Sequence, residues 1–298
     1  MAMTFRFSVV VPCYNEAAYI GEAIRSLQRQ DFAGAYEIVV VDNNCTDDTA
    51  RIARELGVRV VTESAPGVCN AREAGTVASR GEIVVSADAD TTYAPDWLSK
   101  IDRGFRSDDE VVAVVGPCRY SDGPRWGRVF ARSLFGAVQA VYRATGRTYY
   151  VSATNIAFRR DRWTGYDLHL TQGGDELDLL RRMRQEGRVV YDHTNPTFTS
   201  GRRFTRGFFY NVFVCLFVFY LSAYVLNRVT GRRVIGSAPV FRGNSRRKPS
   251  PRLRLAAAAL VATLALFAFQ APRTYLEEKA DTAVDYVQQH TVPAGLHW

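Results

Sequence analysis

Short apolar runs rich in valine and isoleucine alternate with helical segments over most of this sequence. The segments between the runs place apolar side chains at the three- and four-residue spacing of an amphipathic helix. Alternation of this kind is typical of a mostly parallel sheet with right-handed crossovers and helices on its faces. The sequence therefore predicts an α/β fold. The runs predicted as strands cover residues 7–11, 38–41, 58–62, 83–86 and 111–115.

The last third of the chain differs in composition from this α/β part. Residues 208–226 are 19 residues without a charge, and residues 255–269 are a shorter uncharged run of 15. Residues 201–254 hold 12 of the 38 Lys and Arg residues and no Asp or Glu. We interpret 201–272 as a basic, membrane-associating helical region and 273–298 as a polar C-terminal tail. The alternative is a pair of buried helices in a soluble domain.

Cysteine usage and the N-terminus indicate the compartment. Five cysteines are an odd number without metal-site spacing, in a chain too long for a disulfide scaffold, which favours a reduced environment. The apolar run near the N-terminus is too short for the core of a secretory signal peptide. We expect the α/β part to lie on the cytoplasmic face of the inner membrane. The basic region is expected to contact membrane lipids and no nucleic acid.

Two aspartates, Asp88 and Asp90, follow the run at 83–86, where a strand passes into its carboxyl-terminal loop. Alternate side chains of an extended segment point the same way, so both carboxylates can face one point. Such oxygen ligands suit Mg²⁺ or Mn²⁺, which usually takes one or two carboxylates together with substrate phosphates. The alternative is two solvated loop aspartates that cap the helix starting near Pro95.

Four loops follow predicted strands in this way. Their sequences, in their order along the chain, resemble the motifs of the family 2 glycosyltransferases, which have the GT-A fold. The resemblance covers about residues 5–200 and implies a mostly parallel sheet flanked by helices, a nucleotide-sugar-binding fold. It divides the chain into a glycosyltransferase domain at 1–200 and the C-terminal hydrophobic helices. The matching blocks lie at 10–16, 40–47, 67–75 and 87–90.

The resemblance implies a nucleotide-sugar donor held by the first four loops. The first loop lines the nucleoside pocket, Asp42 hydrogen-bonds the base, and Arg72 lies against the nucleotide. Asp88 contacts the ribose or the metal, and Asp90 holds the metal directly. The residues implied in donor binding are Pro12, Tyr14, Glu16, Asp42, Arg72 and Asp88. The alternatives are that Tyr14 is ordinary packing, that Asp42 caps a helix, and that Arg72 is a solvated helix residue.

The acceptor hydroxyl needs a base as it attacks the anomeric carbon, a task for a positioned carboxylate. Asp175 and Glu176 resemble the family's Glu-Asp motif at a helix start, in the reverse order. The family pattern places the base at the second position, Glu176, and the shorter carboxylate of Asp175 is the rival. Members of this family invert the anomeric centre. The alternative is that both acids merely favour a helix N-terminus.

Some positions depart from the family pattern. Asn43 and Asn44 stand where an acid and a glycine are usual, so the nucleoside loop can differ in shape. The Gln-x-x-Arg-Trp motif of processive synthases is absent from the sequence. Residues 200–204 fall in the corresponding region, and Arg202 and Arg203 there reach either the diphosphate or lipid headgroups.

The sequence thus predicts an inverting, metal-dependent glycosyltransferase at the membrane. It would move a sugar from a nucleotide-diphosphate sugar to a glycan or lipid-linked acceptor, including a lipid phosphate. The alternative from another class is a catalytically silent, sugar-nucleotide-binding membrane protein.

Overall fold

The computed structural model describes residues 5–170, 174–208 and 210–211 of the 298-residue chain. The strands are β1 (Phe7–Cys13), β2 (Tyr36–Asp42), β3 (Arg59–Thr62), β4 (Ile83–Ser86), β5 (Thr91–Thr92), β6 (Val111–Val115), β7 (Cys118–Tyr120), β8 (Ile156–Arg159), β9 (Arg188–Tyr191) and β10 (Thr197–Thr199). The helices are α1 (Ile20–Gln28), α2 (Thr49–Glu55), α3 (Val68–Ala78), α4 (Trp97–Arg106), α5 (Arg125–Thr145) and α6 (Gly174–Glu186). Short 3-10 helices cover Arg160–Arg162 and Arg202–Arg206. All five runs predicted as strands form strands.

The large sheet has seven strands in the order β3-β2-β1-β4-β8-β6-β9. β8 runs antiparallel to both of its neighbours, and the remaining pairs in this sheet are parallel. The predicted mostly parallel sheet is therefore confirmed. Because β1, β2 and β4 are adjacent and point the same way, the loops that follow them meet at one edge of the sheet.

Helices cover both faces of this sheet. Buried residues of α1, α2 and α4 pack in one apolar cluster, and buried residues of α3, α5 and α6 pack in a second. Neighbouring residues of β1 divide between the two clusters, since Val9 belongs to the first and Val10 to the second. Strands buried on both faces explain why the runs read as continuous valine and isoleucine, without polar alternation.

A second, three-stranded sheet has the order β5-β10-β7. β10 pairs antiparallel with β5, which directly follows Asp90, and parallel with β7. Beyond the last strand pair, the N–H of Ser200 donates to the carbonyl of Asp90 at 3.0 Å. The small sheet therefore carries residues 200–202 to the edge where the aspartates lie.

Pro12 lies inside β1, although the sequence analysis places it in the loop after the strand. The carbonyl of Val10 accepts from the N–H of Ala87, on the β4 side. The carbonyl of Cys13 accepts from the N–H of Asn43, on the β2 side. Alternate residues face opposite neighbours, so position 12 faces β4, with which β1 has stopped pairing after Val10. The missing N–H of Pro12 costs no ladder hydrogen bond, and the prediction was wrong at this residue.

The two hydrophobic segments predicted at 208–226 and 255–269 lie outside the described residues, apart from positions 208, 210 and 211. Within the part of the chain that is described, no helix combines the length and the hydropathy required to cross a bilayer.

Gly75 marks the closest approach of α3 to the sheet. A Cβ at this position would lie 2.8 Å from Val41 Cγ2 and closer still to Val10 Cγ1. Both valines are β-branched residues of central strands and cannot rotate away cheaply. We expect Gly75→Ala to lower the free energy of unfolding by about 1–3 kcal/mol, measured by urea denaturation.

Gly136 in α5 supplies the matched control for Gly75. A Cβ there would meet no heavy atom within 4 Å among the described residues. Gly136→Ala is therefore expected to stabilise the protein by about 0.5–1 kcal/mol, because alanine restricts the unfolded chain and favours the helix. Equal effects of the two substitutions would contradict the close contact of α3 with β1 and β2.

Candidate active site

The loop that carries the two aspartates is fixed by its backbone. The backbone N–H of Asp88 donates a hydrogen bond to the hydroxyl oxygen of Tyr93 at 2.9 Å. The Tyr93 ring is buried and lies 4.2 Å from the ring of Trp97, at the start of α4. These contacts hold the backbone of Asp88 at the carboxyl end of β4 without using its carboxylate.

Arg72 connects this loop to the start of α6. Its side chain is 4% exposed, and Nη2 lies 3.1 Å from Asp88 Oδ1, while Nη1 donates to Asp175 Oδ2. Burial opposes the charge, but Asp175, Asp88 and Glu176 outweigh burial and raise the pKa of Arg72 well above its usual value. Because the side chain contacts both acidic pairs, it joins the predicted donor residues to the predicted acceptor residues.

The acids of α6 are buried in its first turn. The side chain of Asp175 is fully buried, and Glu176 is 9% exposed. Burial raises the pKa of Glu176 well above its usual value, the charge of Asp175 and a hydrogen bond to it add to that rise, and Arg72 opposes it. Among the described residues, neither Glu176 Oε2 nor Arg72 Nε has a hydrogen-bond partner. Two polar atoms without partners mark this interior as a place where a polar ligand group is expected.

Arg202 lies on the other side of the aspartate loop. Its Nη1 and Nη2 donate to the two carboxylate oxygens of Glu16 at 2.8 and 2.7 Å, and Nη2 lies 2.9 Å from Asp90 Oδ2. The other oxygen of Asp90 accepts from the hydroxyl of Thr199 at 3.2 Å. Arg202 lies just beyond the predicted domain boundary at residue 200, and the sequence analysis offered no partner for it within the protein.

The first two loops form the remaining part of this edge. Tyr14 is exposed, Pro12 and Asp42 are half-buried, and Asp42 Oδ1 accepts from the N–H of Cys45 at 3.0 Å. Asn15 Oδ1 accepts from the N–H of Thr46 at 2.7 Å and so ties the first loop to the second. The edge thus brings together every residue predicted to bind the donor, while their roles stay predictions.

Asn43 and Asn44, which depart from the family pattern, have structural roles in the loops of this edge. Asn43 donates to the carbonyls of Glu63 and Ala65 at 2.8 and 2.7 Å and accepts from the N–H of Gly67 at 2.9 Å. It therefore fixes the third loop against the second. Asn44, which stands where a glycine is usual, has a φ of 63°, a left-handed conformation that asparagine tolerates better than most residues.

Asp88 and Asp90 fit a divalent cation whose coordination is completed by phosphate oxygens. No group of three potential metal ligands occurs in the described ranges, so the protein alone offers an incomplete site. Burial raises the pKa of Asp88, Arg72 opposes that rise, and the neighbouring charge of Asp90 adds to it. The two carboxylates therefore repel each other, as expected of a pair that a cation stabilises. Mg²⁺ and Mn²⁺ commonly take one or two carboxylates plus substrate phosphates.

Sequence comparisons relate this chain to proteins named as glycosyltransferases. The family described as "Glycosyl transferase family 2" matches residues 8–164. An uncharacterized glycosyltransferase of Mycobacterium tuberculosis is 36% identical over 101 residues, 33% of this chain and 44% of that protein. An undecaprenyl-phosphate 4-deoxy-4-formamido-L-arabinose transferase of Edwardsiella ictaluri is 32% identical over 150 residues, 47% of this chain and 45% of that protein. The chain thus matches less than half the length of these curated relatives.

Solved structures share the fold. A mannosyltransferase from Pyrobaculum calidifontis in complex with GDP-Man and Mn²⁺ superposes with a TM-score of 0.62 at 23% identity, covering 95% of this chain and 81% of the other. Glucosyl-3-phosphoglycerate synthase from Mycobacterium tuberculosis, in complex with Mn²⁺, UDP and phosphoglyceric acid, gives a TM-score of 0.53 at 21% identity, covering 77% and 78%. At these identities the likeness shows the fold, and the predicted GT-A fold is confirmed.

Proposed function

Because the chain belongs to glycosyl transferase family 2, we propose that it transfers one sugar from a nucleotide-diphosphate sugar to an acceptor and inverts the anomeric centre. One observation carries this proposal: Arg72 contacts both Asp88, a predicted metal ligand, and Asp175, beside the predicted base. A donor diphosphate at the aspartates would thus lie next to a carboxylate that can activate an acceptor. Mn²⁺ together with GDP-Man in one structural relative, and with UDP in another, supports the same proposal.

Asp90 and Asp88 are the residues that would hold Mg²⁺ or Mn²⁺ in this proposal. The ion would supply Lewis-acid neutralisation of the charge that grows on the departing diphosphate. Asp88 is held by Arg72 through Oδ1 only, and its side chain is 29% exposed, so it can still face a ligand. Tyr14, Pro12 and Asp42 would line the nucleoside end of the same edge.

Glu176 is the base in this proposal, and Asp175 positions it. Asp175 is fully buried and its Oδ2 is engaged by Arg72, so its carboxylate is committed to an ion pair. Glu176 keeps one oxygen without a partner among the described residues, and its raised pKa makes its carboxylate a stronger proton acceptor. Direct displacement at the anomeric carbon needs one base, and Glu176 is the carboxylate of this pair that can serve as that base.

Glu176→Gln tests the assignment of the base. We expect kcat to fall by about 10²–10⁴-fold, because glutamine keeps the shape of the side chain and cannot accept the proton. The measurement is release of nucleoside diphosphate from a panel of UDP-, GDP-, ADP- and dTDP-sugars with Mn²⁺. Glu186→Gln, on the exposed end of the same helix, is the matched control and should retain activity. No release by the wild type from any donor would support the catalytically silent alternative.

The pH dependence of kcat/KM follows from the same group. Protonated Glu176 cannot act as a base, so kcat/KM should rise with pH through the pKa of Glu176, at a pH above that of an ordinary carboxyl. Asp175→Asn removes one cause of the raised pKa, so the acidic limb of the profile should move to lower pH. A limb that stays in place would contradict the coupling of the two acids.

The proposal also includes a lipid-linked acceptor and contact with membrane lipids. The Edwardsiella relative acts on undecaprenyl phosphate, which supports a lipid-linked acceptor, including a lipid phosphate, over a free glycan. The basic composition of residues 201–254 supports contact with membrane lipids at the cytoplasmic face. Parallel assays with a polyprenyl phosphate in vesicles and with a soluble glycan acceptor distinguish these two acceptor classes.

A further inference from the structure

Arg202 joins two carboxylates that come from distant parts of the chain. It forms a two-pronged ion pair with Glu16, whose side chain is 8% exposed, and a third contact with Asp90. Its guanidinium also stands over the ring of Tyr19 at 4.7 Å. With 23% of its side chain exposed, Arg202 is a partly buried cation at the aspartate loop.

The backbone beneath Arg202 is anchored independently of its guanidinium. Asp122 accepts from the N–H of Gly201 and from the hydroxyl of Ser200 at 3.1 Å. The Phe204 ring packs edge-on against Tyr120 at 4.6 Å and against Trp126 at 4.9 Å. The 3-10 helix Arg202–Arg206 is therefore fixed to the small sheet and to α5. Because of these anchors, the Arg202 side chain can change partners while its backbone stays in place.

The contacts of Asp90 set up a competition for its oxygens. Oδ1 accepts from Thr199, and Oδ2 is paired with Arg202. A divalent cation on Asp90 competes with Arg202 for the negative charge of that carboxylate, and it also repels the guanidinium. A diphosphate beside that cation offers the arginine a replacement partner of matching geometry.

We propose that Arg202 is an exchangeable counter-ion of the donor site: the divalent cation replaces it at Asp90, and it then pairs with the donor diphosphate. Arg202 is thus a positioning residue with two alternative anionic partners, and this inference rests on the proposed function. Charge stays balanced in the exchange, because the cation takes over neutralisation of Asp90 while the guanidinium neutralises phosphate oxygens. No covalent step is involved.

Binding of Mn²⁺ alone to the full chain, followed by electron paramagnetic resonance, tests the exchange. Arg202→Gln should bind Mn²⁺ alone about tenfold more tightly than the wild type, because the competing charge is gone. The same variant should bind Mn²⁺ with UDP or GDP about tenfold more weakly, because the diphosphate loses its cation. Arg202→Lys keeps the charge and should leave the affinity for Mn²⁺ alone close to that of the wild type.

The opposite directions of these two changes separate exchange from a merely structural role. Loss of structure would weaken both kinds of binding, and that result would overturn the proposal, as would an unchanged affinity for Mn²⁺ alone. Arg206→Gln, in the same 3-10 helix with its guanidinium 5.3 Å from the Tyr210 ring, is the control and should change neither. A wild type that binds none of UDP, GDP, ADP and dTDP contradicts the proposed function, whereas the comparison with Mn²⁺ alone still decides the exchange.

Chemical modification of the wild type gives a test that does not depend on the folding of a variant. Phenylglyoxal labels accessible arginines, and peptide mass spectrometry reports the rate at each position. Mn²⁺ alone should increase labelling of Arg202, because the arginine loses Asp90 and keeps only Glu16 as an anionic partner, and Mn²⁺ with UDP or GDP should reverse that increase. Labelling of Arg202 that ignores Mn²⁺ would show that the arginine stays on Asp90 and Glu16, and the proposal would fail.

Discussion

Asp90→Asn is expected to lower sugar transfer by about 10³-fold, equivalent to about 4 kcal/mol of transition-state stabilisation. The substitution keeps the shape of the side chain and an oxygen for the hydroxyl of Thr199, but it removes the charge that would hold the cation. Arg202 keeps its two contacts with Glu16, so the fold should be unaffected. The loss is therefore expected in activity and not in stability.

Three measurements define this result. Release of nucleoside diphosphate gives the activity, titration with Mn²⁺ gives the cation requirement, and thermal denaturation checks the fold. Asp109→Asn is the matched control, because Asp109 is exposed just before β6, at the opposite edge of the sheet. Activity of Asp90→Asn above about a tenth of the wild-type value would show that Asp90 holds no essential cation.

Arg72→Leu is expected to lower the free energy of unfolding by about 3–5 kcal/mol. The reason is the partner that the substitution leaves behind. The carboxylate of Asp175 is fully buried, and it would lose the guanidinium that compensates its charge. A buried ion pair adds little net stability, but removing one member strands the other in an environment that opposes its charge.

Urea unfolding of the full chain measures the loss of stability, and a double variant tests its cause. The double variant Arg72→Leu with Asp175→Leu should recover much of the lost stability, because no buried charge remains. Arg51→Leu removes an exposed arginine with ion pairs to Asp48 and Glu55, and it should leave the midpoint unchanged. A double variant no more stable than Arg72→Leu alone would contradict the uncompensated charge as the cause.

Long, strongly patterned elements could be predicted from the sequence, whereas short ones could not. The helix α5, Arg125–Thr145, can be predicted from the sequence because its apolar residues repeat at helical spacing over several turns. β5, β7 and β10 have two or three residues each, too few for any periodic pattern. They form because the neighbouring backbone offers partners, and that information is not local in sequence.

The same division holds for the site. The four loops were predicted to meet because each follows a strand of a parallel sheet, and the strand order places β1, β2 and β4 side by side. The partners of the charged residues were not predicted. Arg72 and Asp175 are 103 positions apart, and Arg202 and Glu16 are 186 positions apart. No spacing rule links residues at such distances, although the resemblance had placed Arg72 against the nucleotide.

The sequence by itself determined the sheet, the order of its loops and the carboxylates at its edge, because strand patterns and crossover handedness depend on local chemistry. Only the tertiary structure decided which cation faces which carboxylate. Arg72 on α3 reaches Asp175 at the start of α6 through its side chain, and Arg202 reaches its partners because the small sheet carries Thr199 and Ser200 to the aspartate loop. Ion pairs of this kind are selected by burial and by distance in space, and neither quantity is written in a single stretch of sequence.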